Sequence, residues 1–245
     1  MTEPIALPKI ALVIVAHPDD AEFGCGGTMA KWAKEGWDIH VVITTDASGG
    51  GLDDAPDVGL AARSAITNIR KTEQQAAAKV LGVHEVVFLD YPDGLITPSI
   101  DLRRDLVRLM RRIRPTRLLC QSPDRTWKPS YSIGRHHPDH LATGTATIAA
   151  MYPAAQNGWD FPELLAEGLA PHKIRELYIM GAPEINHAED ISAVFDLKIE
   201  ALRAHDSQLG ARFPEVEKRI RQWGSDNAKP YGFEYAEVFN RAENG

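Results

Sequence analysis

The stretch IALVIVAHPDD, positions 10–20, constrains this chain more than any other. The aliphatic run from Ile10 to Val15 reads as a strand buried on both faces, which belongs at the centre of a parallel sheet. It ends in His17, Pro18, Asp19 and Asp20, with Glu22 close behind. A histidine and adjacent carboxylates are costly to desolvate at a strand end unless they are paired or bound to something. In open α/β sheets that end of the strand is where ligands sit.

The rest of the chain repeats the alternation. Strands are expected at 39–44, 85–89, 117–120 and 177–180, and helices at 27–35, 61–81, 102–113, 140–151 and 191–209. Gly36, Gly82 and Pro115 mark three of the helix ends. This order predicts an α/β fold: a Rossmann-like three-layer sandwich with a mostly parallel sheet and helices on both faces. The Gly-, Asp- and Pro-rich segment 46–59 and the segment 122–134 read as long loops. No internal repeat or interdomain linker is visible, so 1–245 is expected to form a single domain.

Composition narrows the partners. A formal net charge of -7 argues against nucleic acid. The arginines from Arg103 to Arg114 recur at helical spacing beside leucines and read as a solvated helix face. Two cysteines make no disulfide framework, and a reducing compartment fits them. There is no basic-then-apolar leader and no apolar stretch approaching the roughly 18 residues of a membrane span. The expectation is a cytoplasmic enzyme with no membrane partner.

A second polar cluster, RHHPDH at 135–140, repeats the chemistry of the first. Two strand-end clusters of His and Asp can converge on one metal ion. A catalytic zinc takes three protein ligands and a water. The best set is one His and one Asp from HPDD with one His from HPDH. The remaining carboxylate would face the water as general base. The residues alone do not choose between Asp19 and Asp20.

AHPDDAEFGCGGT together with HPDH resembles the PIG-L/LmbE family of metal-dependent N-deacetylases. Arg70-Lys-Thr-Glu73 with the following QQAAAKVLGV, and Lys198 to Gln208 with its His205-Asp-Ser-Gln, are similar to further elements of that family. The resemblance spans about 8–210, leaving 211–245 as a C-terminal extension. It implies removal of an acetyl group from an N-acetylglucosamine-type sugar or conjugate. It implies His17, Asp20 and His140 as ligands of one Zn2+ per chain, with Fe2+ or another divalent ion as the alternative. Asp19 would be the general base. His137 would stabilise the oxyanion and protonate the leaving amine, Asp139 would orient or charge-tune His137, and Arg70 would contact the substrate or help neutralise developing charge. A homo-oligomer is also implied.

Two departures stand out. The position directly after the paired aspartates is Ala21, with the acid displaced to Glu22. The place of an auxiliary tyrosine holds Arg135, which would replace it or bind an acidic substrate group; Tyr131 is near but not aligned. Other amides, of a thiol or small-molecule conjugate, are the alternative substrates, and a metal- or sugar-binding protein without catalysis is the non-enzymatic one. A dinucleotide-binding oxidoreductase fits poorly, because Gly24, Gly26 and Gly27 do not make GxGxxG. Cys25 reads as a packing residue, and His205 as a structural histidine.

Overall fold

The computed structural model describes residues 7–52, 54–127 and 136–245. Arg135 and Tyr131 lie outside the described residues. Seven strands form one sheet: β1 (Ile10–Val15), β2 (Asp38–Thr45), β3 (Glu85–Tyr91), β4 (Arg117–Gln121), β5 (Glu176–Met180), β6 (His187–Asp190) and β7 (Ala236–Glu243). Their order is β3-β2-β1-β4-β5-β7-β6. The first five run parallel, and β7 alone is antiparallel to its two neighbours.

The helices are α1 (Asp20–Lys34), α2 (Leu60–Leu81), α3 (Ile100–Ile113), α4 (Pro138–Met151), α5 (Glu163–Ala166), α6 (Phe195–Arg203), α7 (Asp206–Leu209) and α8 (Phe213–Ala228). They cover both faces, as the alternation predicts. Ala11, Val13 and Val15 of β1 pack with Met29 of α1, Leu81 of α2, Leu202 of α6 and Ile220 of α8. Leu12 and Ile14 pack on the other face with Leu106 of α3 and Ala146 of α4. Burying both faces explains why β1 is aliphatic at every position. Among the described residues, no helix is long and apolar enough to cross a membrane.

The strand order fixes where the site lies. The chain leaves β1 toward β2 and leaves β4 toward β5, so the order reverses between β1 and β4. A crevice opens at such a switch point, beyond the carboxyl ends of the strands. The first polar cluster follows β1, and the second leads into α4 after β4. Gly144 lets α4 press onto the end of β4, since a Cβ there would lie 2.3 Å from Gln121 O.

Two expectations need correction. The first helix starts at Asp20, not at residue 27; its glycines hid a turn that is helical on either side of a kink at Cys25. The helix expected at 191–209 is a 3-10 turn followed by α6 and α7, broken at His205. Residues 211–245 contribute to the same sheet, where β7 pairs with β5 on one side and β6 on the other.

Candidate active site

Asp20 starts α1 and His140 lies in the first turn of α4, so two helix starts carry the clusters toward each other. His17 Nδ1 lies 3.2 Å from His140 Nε2 and 3.3 Å from Asp20 Oδ2. His140 Nε2 lies 3.1 Å from Asp20 Oδ1. Tetrahedral donors on zinc bonds of about 2.0–2.1 Å stand roughly 3.3–3.4 Å apart. The three side chains are therefore spaced close to the edges of one coordination shell, and their donor chemistry fits zinc or a similar divalent ion. The nitrogens of His17, His137 and His140 also lie within 4.8 Å of one another, as do donor atoms of His17, Asp93 and Asp139.

His17 serves the two groups through different nitrogens. Its Nε2 lies 3.0 Å from Asp93 Oδ1 and 3.2 Å from Asp139 Oδ2. Two carboxylate acceptors hold the ring proton on Nε2 and leave the Nδ1 lone pair toward Asp20 and His140. In the protein alone, burial disfavours the charged imidazole. The bonds to Asp139, Asp20 and Asp93 outweigh it and hold the His17 pKa up to about 11. So strong a hold on a proton reflects an excess of anionic oxygen around the ring. Burial raises the Asp20 carboxyl too, but His140 and His17 more than offset this and keep it ionised.

Asp19 points differently from its neighbour. Burial and the Asp20 charge push its pKa up to about 7, against the pull of Arg70. A carboxylate with that value is suited to accept and return a proton near neutral pH. His137 caps α4, and its Nδ1 accepts the Asp139 N–H at 3.3 Å. A neutral ring accepting through Nδ1 carries its proton on Nε2, a donor free for a ligand. Burial and the nearby His17 and His140 lower its pKa, which favours that neutral form.

A cavity of about 300 Å³ is lined by His17, Asp19, Gly50, Arg70, Asp93 and His137, among others. A second, of about 220 Å³, lies on the side of Asp20 and His140 and is bordered by Phe23, Leu141 and Met180. Arg70 is buried at 5% exposure; its Nη2 donates to Pro18 O at 2.9 Å and lies 3.4 Å from Asp19 Oδ2. A Cβ at Gly50 would lie 2.5 Å from Arg70 Nη1, so only glycine lets the loop after β2 pass there.

The structure brings together His17, Asp19, Asp20, Arg70, His137, Asp139 and His140. The expected link between Asp139 and His137 takes another form. The Asp139 carboxylate bonds to His17 and accepts from Gly94 N at 2.7 Å and Ile96 N at 3.3 Å, and only its backbone N–H meets His137. It is positioned to orient the His17 ring. Asp93 was missed, although Tyr-Pro-Asp-Gly just past β3 stands at the same sheet end as the two clusters. Gln74 was missed as well, and Glu22 was noted only as a displaced acid. Cys25 is fully buried, and burial raises its thiol pKa, which agrees with a packing role.

Converging metal-type donors at the switch point of a parallel sheet define the class, an α/β fold with a candidate metal centre. Comparison with known proteins places the chain within that class. Residues 12–151 match the PIG-L family, described as GlcNAc-PI de-N-acetylase. A diacetylchitobiose deacetylase of Thermococcus kodakarensis is 31% identical over 238 residues, covering 97% of this chain and 84% of that protein. A 1D-myo-inositol 2-acetamido-2-deoxy-alpha-D-glucopyranoside deacetylase of Rhodococcus erythropolis is 30% identical, covering 83% and 82%. The solved N,N'-diacetylchitobiose deacetylase of Pyrococcus horikoshii, in complex with an inhibitor, superposes with a TM-score of 0.85 at 27% identity, covering 98% of this chain and 86% of that one. The chain belongs to the PIG-L family of amide-hydrolysing deacetylases.

Proposed function

We propose that this chain is a zinc-dependent N-deacetylase acting on an N-acetylglucosamine-type sugar or sugar conjugate, a small soluble molecule met in the cytoplasm. The observation that carries the reading is the convergence of His17 Nδ1, the Asp20 carboxylate and His140 Nε2 within 3.1–3.3 Å beside the Asp19 carboxylate. The relatives named for acetamido-sugar deacetylation support the substrate class. All seven strands share one sheet, which supports a single domain.

His17, Asp20 and His140 would hold the ion. When bound, it supplies a Lewis acid that polarises the acetyl carbonyl and acidifies water. Asp19 takes the proton of the attacking water. The His137 Nε2–H donates to the carbonyl oxygen as negative charge develops there. The amine nitrogen departs with a proton returned from the Asp19 carboxyl, leaving acetate. Asp139 and Asp93 keep the His17 ring oriented throughout. Arg70 keeps the Pro18–Asp19 turn in place and offers a cation at the cavity wall.

Metal analysis of the purified protein beside His140→Ala tests the ligand set. About one zinc per chain, lost in the variant, agrees with it. Amine release is then screened over N-acetylglucosamine, N,N'-diacetylchitobiose and N-acetylglucosaminides. No bound metal after zinc loading, or a metal-loaded protein that releases amine from none of them, overturns the reading.

A further inference from the structure

Asp19 occupies a backbone conformation that residues other than glycine avoid, with φ 87° and ψ -26°. Such a residue persists only where its surroundings over-determine it, and these sites cluster at functional positions. Its C=O accepts from Phe23 N at 3.0 Å, and the carbonyl before it accepts from Arg70. Its N–H donates to Gln74 Oε1 at 3.0 Å.

Gln74 reaches Asp19 from the middle of α2 and is wholly buried. The other end of its amide, Nε2, donates to Glu22 Oε1 at 2.7 Å. Glu22 is wholly buried too, and its second oxygen faces the buried His205 Nε2 at 3.5 Å. Gln74, Glu22 and His205 do not line the cavity that holds Asp19. A buried amide, carboxylate and imidazole cost more than apolar side chains of the same size unless their geometry has a use. The use lies in direction. An amide has a donor end and an acceptor end, and either can be turned toward a neighbour. Glu22 accepts only, so it takes the NH2 end. The carbonyl end is then fixed on the Asp19 N–H.

We propose that Gln74 is a positioning residue for Asp19, and that Glu22, backed by His205, sets the sense of the Gln74 amide. The inference rests on Asp19 acting as the base. It also gives a use to the two sequence elements around Arg70 and His205. They meet again where Ser207 N and Oγ each lie 2.7 Å from the Glu73 carboxylate.

The test measures kcat, KM, bound metal and thermal midpoint together. Gln74→Met should lower kcat about 100-fold, as a misplaced catalytic group does, while KM and metal content hold. In an Asp19→Ala background the same change should cost less than about twofold, because groups acting as a unit are not additive. Glu22→Gln is isosteric and frees the amide to turn, so it carries the test if Gln74→Met does not fold. It should lower kcat about tenfold, and adding Gln74→Glu should restore it, since the pair again offers Asp19 an acceptor of one sense. Equal losses of kcat with and without Asp19, an unchanged kcat in Glu22→Gln, or no recovery in the swapped pair would each overturn the proposal. Full activity in Asp19→Ala alone would instead overturn the assignment of the base.

Discussion

Two buried polar clusters flank α1, and they are built on opposite rules. On one side, Glu237 of β7 accepts from Gly27 N at 2.9 Å, Thr28 N at 2.7 Å and Thr28 Oγ1 at 2.6 Å, and pairs with Lys198 Nζ. Lys198 also donates to Phe23 O at 2.8 Å. One anion meets one cation, and every bond closes within the protein. On the other side, Asp20, Asp93 and Asp139 surround His17 and His140, while Asp19 lies 3.4 Å from Arg70. Burial separates the two only partly: Lys198 and Glu237 are each 4% exposed and His17 is 8% exposed, while Asp19, Asp20, Asp93 and His140 are half-buried. Charge balance separates them. The closed cluster is neutral and fixes α1 against β7. The open cluster keeps surplus negative charge beside a cavity, which a divalent ion would balance.

The largest expected effect separates the clusters by activity. Asp19→Ala should reduce amine release by about 10²- to 10⁴-fold, the usual worth of a general base, with metal content unchanged. Loss of metal instead would make Asp19 a ligand. Glu237→Leu should act on stability alone. A buried Lys198 left without its anion costs about 3–5 kcal/mol, or a fall in Tm of roughly 6–20 °C for a domain of this size. Turnover per folded molecule should be unchanged below the transition, and Lys198→Met in the same chain should recover the part due to the stranded cation, while the Gly27 and Thr28 donors stay without their acceptor. A loss of turnover in the folded variant would show that the closed cluster is part of the site.

Asp139→Asn tests the open cluster more gently. Removing the charge behind His17 Nε2 should weaken zinc about 10- to 100-fold, measured by chelator competition. The smallest effect concerns a third pair at the rim, Lys31 Nζ with Glu189 Oε2 at 2.6 Å. Burial would raise the Glu189 pKa, but the bonds from Lys31 and His187 outweigh it and lower the value. Its stabilisation is complete above the unfolded glutamate pKa of about 4.3 and fades as pH falls through the lower folded value. Lys31→Met should therefore shrink the difference in urea stability between neutral and acid pH, by less than about 1 kcal/mol. An undiminished difference would count against the pair.

The parallel half of the sheet was legible because its strands are apolar on both faces and its helices end at Gly82 or before Pro115. The antiparallel edge was not. His187–Asp190 is short and polar, and β7 sets Glu237, buried against α1 and Lys198, two positions from the buried Phe239, so it shows no apolar alternation. The start of α1 was obscured by glycines, which read as a loop. One of them, Gly27, is required by packing, since a Cβ there would lie 2.6 Å from Ile191. At the site, repeated His-Pro-Asp motifs exposed most of the converging residues. Asp93 and the partners of Asp19 were hidden because a lone Asp in a turn or a Gln in a helix has no periodic signal. Only the fold shows that Gln74 faces Asp19 across 55 positions.

The bond between Gly27 and Glu237 spans 210 positions, and this sets an order on how the molecule is made. While a ribosome is still short of Ala236, Lys198 has no counter-ion, the Gly27 and Thr28 amides have no acceptor and β6 has no neighbour in the sheet. The helix that begins at Asp20 is thus secured only once Glu237 is in place. Without β7 the HPDD and HPDH residues would all be present, yet β6 would lack its partner strand and α1 the acceptor of its Gly27 and Thr28 amides.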